Sequence, residues 1–244
     1  MSRPVLIAGN WKMNGGSDVL DWGDKLASEL SEPPRCAVLL CPPATLIHPL
    51  SQRLPEWVAL GGQDCSPHPP GARTGDIAAS MLKALGCTHV IIGHSERRAG
   101  HHETDEVVKA KAQAALDAGL TPIVCVGETL AERETGQAEQ VVTGQLAASV
   151  PDGVDGADLV IAYEPVWAIG TGKTATPEDA RAMHAQIRKA WPGEGGEHLQ
   201  ILYGGSVKPD TAADLLAQEG VDGALVGGAS LDPKDFAAVL GAVR

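Results

Sequence analysis

The sequence predicts an α/β protein, a single (β/α)8 barrel domain covering residues 1–244. Eight short apolar runs recur at intervals of roughly 30 residues. Each run is continuous rather than alternating, which is typical of a strand buried on both faces of a parallel sheet. Helix-like stretches with capping residues lie between the runs. Eight strands alternating with helices in about 250 residues are the pattern of such a barrel, and a doubly wound open sheet is the structural alternative.

The elements can be assigned in chain order. The predicted strands are VLIAGN from Val5, AVLLC from Ala37, VALGGQ from Val58, HVIIGH from His89, TPIVCVGE from Thr121, DLVIAYE from Asp158, LQILYGG from Leu199 and GALVGG from Gly223. Four helices have recognisable capping residues at their starts, namely Ser17, Thr104, Thr176 followed by Pro177, and Asp232 followed by Pro233. The helix that starts at Thr104 is predicted to end at Gly119. One long irregular segment, Gly62 to Asp76, is typical of a functional or partner-covered loop.

Composition and charge exclude several classes of function. The chain is 43% hydrophobic and carries a net charge of −12, which argues against a nucleic acid or an anionic membrane as partner. A small anionic ligand remains possible, because one lysine about 4 Å from a phosphate oxygen contributes about 4 kcal/mol at an effective dielectric constant near 20. The five cysteines show no C-x-x-C spacing, so reduced thiols and a cytoplasmic location are expected. No signal peptide or membrane span is predicted.

Polar side chains follow the apolar strands, where a barrel carries its chemistry. Asn10 and Lys12 follow the first strand, His94 and Glu96 the fourth, and Glu164 the sixth. Four of them have a structural alternative: Lys12 as a solvated lysine, His94 as a hydrogen-bonded histidine, Glu164 as a glutamate before a turn proline, and Glu96 as an ion-pair glutamate beside two arginines. We expect convergence at one rim, because several independent strands deliver such groups there.

Two glycine-rich loops predict a phosphate site. YGGSVKP follows the seventh strand and VGGASLDP the eighth, the loops with which barrels often bind phosphate. Glycines allow backbone N–H groups to approach an anion, and Ser206 can add a hydroxyl donor. The alternative is a pair of ordinary strand-to-helix turns.

The segment YEPVWAIGTGKTATP, Tyr163 to Pro177, is predicted to be a closing flap. It fails the Walker A pattern, because Trp167 stands where the first glycine would be. A dinucleotide fingerprint is also disfavoured, since its glycine would begin six residues after the strand. Pro165 stiffens one end, and the apolar residues can close over a ligand and exclude water.

The combination of a carboxylate base, a histidine, a lysine and a phosphate cradle suits proton abstraction next to a carbonyl. No metal cluster is expected, since HHETD at residues 101–105 has the pattern of a solvated helix start. No serine or cysteine carries the flanking motif of an acyl-transfer nucleophile.

These residues resemble the triosephosphate isomerase family over nearly the whole chain. The resemblance rests on AGNWKMNG, GHSERR, CVGETLAERETG, YEPVWAIGTGKTAT, YGGSV and VGGASL, which occur in the family's order. It implies a TIM barrel and an isomerase of glycolysis and gluconeogenesis. The reaction would interconvert dihydroxyacetone phosphate and D-glyceraldehyde 3-phosphate through an enediolate, without cofactor or metal.

The resemblance also implies a role for individual residues. Glu164 matches the base, His94 the electrophile, Lys12 the cation beside the oxyanion and phosphate, Asn10 their neighbour, and Glu96 a supporting acid. The backbone donors to the phosphate match Gly170, Ser206, Gly227 and Gly228. The closing lid with its hinges matches Pro165, Val166, Trp167, Lys173, Thr174 and Ala175.

The family resemblance implies a homodimer, with the Gly62–Asp76 loop as an arm that places Thr74 near the partner's site. The arm departs from the family pattern at Asp64, Arg73 and Asp76. These changes bring the tightness of the dimer into question more than the chemistry. Two rival functions remain: another phosphate-binding barrel enzyme, such as a sugar-phosphate epimerase or aldolase, and a non-catalytic ligand-binding or scaffold protein.

Overall fold

A computed structural model of the chain describes residues 3–168 and 175–243. Eight parallel strands pair each with the next, and the last pairs with the first, so they form a closed barrel. The strands are β1 Leu6–Asn10, β2 Ala37–Cys41, β3 Val58–Gly62, β4 His89–Ile92, β5 Thr121–Val126, β6 Val160–Tyr163, β7 Gln200–Tyr203 and β8 Gly223–Val226. The predicted fold class and all eight predicted strand positions are thereby confirmed.

Helices surround the barrel. The α-helices of the described residues are α1 Trp22–Glu29, α2 Ala44–Ser51, α3 Ala79–Ala84, α4 Ser95–Gly100, α5 Asp105–Asp117, α6 Leu130–Glu134, α7 Ala138–Ser149, α8 Pro177–Lys189, α9 Ala212–Leu216 and α10 Pro233–Gly241. Short 3-10 helices cover Ser17–Val19, Val166–Ala168 and Gly228–Ser230. No helix within residues 3–168 and 175–243 is both long and apolar enough to cross a membrane.

Three of the four predicted helix starts are confirmed by their caps. The Thr104 hydroxyl accepts the Val107 N–H, Thr176 forms a reciprocal capping box with Asp179, and the Asp232 carboxylate caps α10. Gly119, with φ +72°, follows the end of α5 as predicted.

The prediction that a helix starts at Ser17 is wrong. Ser17 begins only a 3-10 turn, and α1 starts at Trp22. The side chains that require burial, Trp22 and Leu26, lie on α1 itself, whereas Val19 and Leu20 are only half-buried.

Strand residues bury alternate side chains on the two faces of the barrel wall. Leu6 and Ala8 of β1 belong to a cluster inside the barrel, and Ile7 between them packs in a second cluster that contains helix residues. Both faces are fully covered, which explains why the strands lack polar alternation. Their carboxyl ends are the places where polar side chains leave the wall.

Candidate active site

A cleft of about 700 Å³ opens at the carboxyl ends of the strands. The predicted residues that line it are Asn10, Lys12, His94, Glu164, Ser206, Gly227 and Gly228. They lie at or just after the carboxyl ends of β1, β4, β6, β7 and β8, and they meet because the strands are parallel and the barrel is closed. The expected convergence of these side chains is therefore present in the fold.

Glu164 follows β6 and is almost fully buried, with 2% of its surface exposed. Its Oε1 lies 2.9 Å from His94 Nε2, and its Oε2 accepts the Ser95 N–H at 2.9 Å. Burial favours the protonated acid, but His94, the Ser95 N–H and Lys12 together hold the pKa of Glu164 below its ordinary value. The side chain is consequently a carboxylate at neutral pH, the form that a general base requires.

His94 caps the start of α4. Its Nδ1 accepts the Glu96 N–H at 3.2 Å, so this nitrogen uses its lone pair and the proton of a neutral ring lies on Nε2. Burial lowers the pKa of His94 and the adjacent Glu164 carboxylate raises it, with a net upward shift. The upward shift of the His94 pKa comes from the Glu164 carboxylate, which faces Nε2. The contact with the Glu96 N–H disfavours a proton on Nδ1. The ring can therefore serve as an N–H donor toward the cleft.

Lys12 lies in a left-handed backbone conformation, with φ +53°, just after β1. Its N–H donates to Asn10 Oδ1 at 3.0 Å, and its carbonyl accepts the Gln63 side-chain amide at 2.9 Å. These two bonds hold a conformation that is sparsely populated for a residue with a side chain. The ammonium group forms an ion pair with Glu96, whose side chain is half-exposed.

The two glycine loops line the cleft beside Lys12 and Glu164. Gly227 precedes the 3-10 helix Gly228–Ser230, and a β-carbon at Gly227 would lie 3.7 Å from Lys12 Cε. The first N–H groups of a helix lack intrahelical partners, so they can bind an anion beside the lysine. A β-carbon at Gly204 would lie 2.9 Å from Glu164 Cγ, so the loop after β7 passes too close to that carboxylate for a larger residue.

The start of the predicted flap is anchored to the loop after β5. Val166–Ala168 forms a 3-10 turn, and Trp167 Nε1 donates to Glu128 Oε1 at 2.8 Å. Glu128 is fully buried and also accepts the Tyr163 hydroxyl at 3.1 Å. Pro165, Val166, Trp167 and Ala175 lie among the described residues, whereas the predicted residues Gly170, Lys173 and Thr174 lie outside them.

The predicted arm after β3 is joined to its own chain by polar contacts. Asp64 pairs with Lys111 at 2.7 Å and Arg97 at 2.9 Å, and Asp76 accepts the Ser66 hydroxyl at 2.8 Å. Two of the three residues that depart from the family pattern therefore have intrachain partners. Thr74 is exposed at the turn of the arm.

Three contacts of the site were missed by sequence reasoning. They are the Ser95 N–H that binds Glu164, the Gln63 amide that holds Lys12, and the Glu128 carboxylate beneath Trp167. Gln63 and Glu128 follow β3 and β5, so the strand-end signal identifies both residues but not the contacts that they make. Among the described residues, no group of three or more histidine, cysteine, aspartate or glutamate side chains is arranged to hold a metal ion.

The chain is similar to known proteins in both sequence and structure. The sequence model of the triosephosphate isomerase family matches residues 5–243. A triosephosphate isomerase from Alkalilimnicola ehrlichii is 54% identical, with 99% of each chain covered, and one from Xanthobacter autotrophicus is 54% identical, with 98% of this chain and 96% of the relative covered. The crystal structure of triosephosphate isomerase from Bartonella henselae superimposes with a TM-score of 0.90 at 45% identity, covering 99% of both chains.

Proposed function

Because the chain belongs to the triosephosphate isomerase family, we infer that it is an isomerase that interconverts dihydroxyacetone phosphate and D-glyceraldehyde 3-phosphate. The assignment of roles rests on one observation: Glu164, His94 and Lys12 line one cleft beside two glycine loops. A base, a neutral donor, a cation and an anion cradle are the groups that this reaction needs.

In the proposed mechanism, the Glu164 carboxylate removes a proton from the carbon next to the substrate carbonyl. The electron pair of that C–H bond forms the enediolate double bond, and charge develops on the carbonyl oxygen. His94 Nε2–H and the Lys12 ammonium stabilise this oxygen, with Asn10 beside them. The hydroxyl proton of the enediolate passes to the oxygen that has gained the charge, and Glu164 returns its own proton to the neighbouring carbon, so the other oxygen becomes the new carbonyl. One preorganised donor of this kind contributes about 2.7–4 kcal/mol to transition-state stabilisation.

The substrate phosphate is proposed to bind the backbone N–H groups of Gly170, Ser206, Gly227 and Gly228. The segment from Pro165 to Ala175, including Val166, Trp167, Lys173 and Thr174, is proposed to close over it. Glu96 is proposed to support Lys12 through their ion pair.

The decisive experiment is a coupled assay with glyceraldehyde 3-phosphate and purified protein, without added metal or nucleotide. We expect turnover in both directions and loss of turnover in Glu164→Gln. The rival aldolase reading is tested by adding borohydride with substrate. A covalent adduct at a lysine would indicate Schiff-base chemistry and favour the aldolase. A wild-type protein without isomerase activity would refute the isomerase proposal.

We also propose a cytoplasmic homodimer in which the arm reaches the partner. Exposed Thr74 supports the proposal, as does Met13, which is 96% exposed although apolar. All five cysteines are free thiols, as expected in a reducing compartment. Sedimentation equilibrium tests the assembly, and a monomer at micromolar concentration would contradict it.

That residues 1–244 form one domain stays a prediction.

A further inference from the structure

Arg98 of α4 is a mostly buried arginine, with 16% of its side chain exposed. Its guanidinium binds four groups from four different segments. Nε donates to the Gly93 carbonyl at 2.9 Å, and Nη2 donates to the Cys125 carbonyl at 3.1 Å and to the Ser149 hydroxyl at 3.0 Å. Nη1 pairs with the Asp105 carboxylate. The charge of the arginine is thus neutralised, and four of its five N–H donors are used.

The Gly93 and Cys125 carbonyls lie at the carboxyl ends of β4 and β5, on the rim that carries the proposed catalytic residues. Gly93 directly precedes His94 and has φ +64°, and a β-carbon there would lie 2.8 Å from the methyl groups of Val108. Cys125 is a fully buried residue of β5. The next residue of β5, Val126, accepts the Glu164 N–H through its carbonyl at 2.8 Å, so the backbone of β5 at Cys125 is joined directly to the residue that carries the base.

We propose that Arg98 is a positioning residue for the reaction: its guanidinium ties the Gly93 and Cys125 carbonyls together and so fixes the placement of His94 relative to Glu164. The inference rests on the catalytic roles proposed above for His94 and Glu164. A planar guanidinium offers five N–H donors in a fixed geometry, which allows it to bridge two backbone segments and an acid at once. A purely structural ion pair with Asp105 would not require the two backbone contacts.

The Ser149 hydroxyl provides a contrast within the same cluster. It accepts from Arg98 and donates to Asp105 at 3.0 Å, but neither contact reaches the backbone beside His94. Removing this hydroxyl should therefore weaken the cluster without releasing Gly93 or Cys125. Ser149→Ala is accordingly the matched control for the positioning role.

Arg98→Lys is the informative variant, because lysine keeps the charge opposite Asp105 but cannot span both carbonyls. We expect kcat to fall about 10- to 100-fold, the order of loss caused by a displacement of about 1 Å in a catalytic group. The inhibition constant of inorganic phosphate should stay within about twofold, because the phosphate loops follow β7 and β8. Ser149→Ala should lower the melting temperature and leave kcat within about twofold of wild type.

The outcomes separate this inference from the proposed function. A wild-type protein without isomerase activity would refute the proposed function itself. An active wild type with a folded Arg98→Lys variant of normal kcat would overturn the positioning role, and so would equal losses of kcat in Arg98→Lys and Ser149→Ala. If Arg98→Lys does not fold, Arg98→Gln is measured instead, because the glutamine amide is too short to donate to both carbonyls. This variant should lower kcat at constant phosphate inhibition, and an unchanged kcat overturns the inference.

Discussion

At the scale of single residues, the site depends on the opposite effects that burial has on the protonation of Glu164 and of the His94 ring. Burial alone would protonate Glu164 and deprotonate His94. The contact between them reverses both effects, because it keeps Glu164 a carboxylate and shifts the pKa of His94 upward. The Glu96 N–H on Nδ1 keeps the His94 proton on Nε2, where a substrate oxygen can receive it. Both groups therefore have usable protonation states at neutral pH.

Glu164→Asp tests the placement of the base. Aspartate is one methylene shorter, so its carboxylate would lie about 1 Å or more from the position for proton transfer. We expect kcat to fall about 100-fold or more, while the inhibition constant of inorganic phosphate is unchanged. Steady-state kinetics in both directions provide the measurement. Comparable turnover in the variant would remove Glu164 from the role of base.

Lys12→Ala tests the cation. Removing the ammonium leaves the anion site beside an unpaired Glu96 carboxylate, so both attraction and charge balance are lost. A cation about 4 Å from a phosphate contributes about 4 kcal/mol at an effective dielectric constant near 20, so phosphate affinity should fall by several hundred-fold. Calorimetric titration with inorganic phosphate measures this loss. Retained affinity would show that the lysine does not contact the anion.

The reactive residues could be predicted from the sequence, but their local partners could not. Lys12, His94 and Glu164 each follow an apolar run, and parallel strands bring such positions to one rim. The Ser95 N–H at Glu164 and the Gln63 amide at Lys12 depend on the angle at which each loop leaves the barrel. Apolar patterning sets where a strand ends and carries little information about that angle.

At the scale of elements, strand ends and loops pack so closely that some positions admit only glycine. Gly127 follows β5, and a β-carbon there would lie 1.7 Å from the carbonyl oxygen of Glu164. The Gly127 N–H also donates a hydrogen bond to Gln145 Oε1 of α7 at 2.8 Å. The loop after β5 is therefore fixed against the residue that carries the base.

Gly127→Ala should prevent normal folding or lower the free energy of unfolding by more than about 4 kcal/mol, because backbone and not a flexible side chain blocks the added carbon. Gly144→Ala is the matched control. Gly144 lies in α7, and no atom lies within 4 Å of its added β-carbon, so this change should stabilise by about 0.5–1 kcal/mol. Urea unfolding compares the two. Equal stabilities would refute the close approach.

At the scale of the whole molecule, buried histidines link stability to pH. His184 of α8 is fully buried, its Nδ1 lies 3.1 Å from the Gly220 carbonyl, and its ring packs edge-on against Tyr163. A carbonyl only accepts, so Nδ1 carries the proton of a neutral ring. Burial lowers the pKa of His184 from 6.5 to about 4.

Because the unfolded chain binds this proton more readily than the folded one, acid favours unfolding. The contribution of His184 is complete above about pH 6.5 and is lost as the pH falls toward about 4, with a total near 3 kcal/mol. In His184→Gln, the free energy of unfolding should fall less steeply over this range, by up to about 1.4 kcal/mol per pH unit. His89 remains in both proteins, and its pKa is likewise lowered to about 4 by burial, so the difference isolates His184. Parallel pH dependences would contradict the prediction.

The pairing of β1 with β8 also determines when the chain can fold during its synthesis. The Leu6 N–H donates to the Asp222 carbonyl at 3.0 Å, so the first strand finds one of its two neighbours only after more than 200 further residues have been made. Until then β1 has an open edge as the chain leaves the ribosome. The reactive groups, spread over β1, β4 and β6, can reach their final spacing only when translation has supplied the last strand.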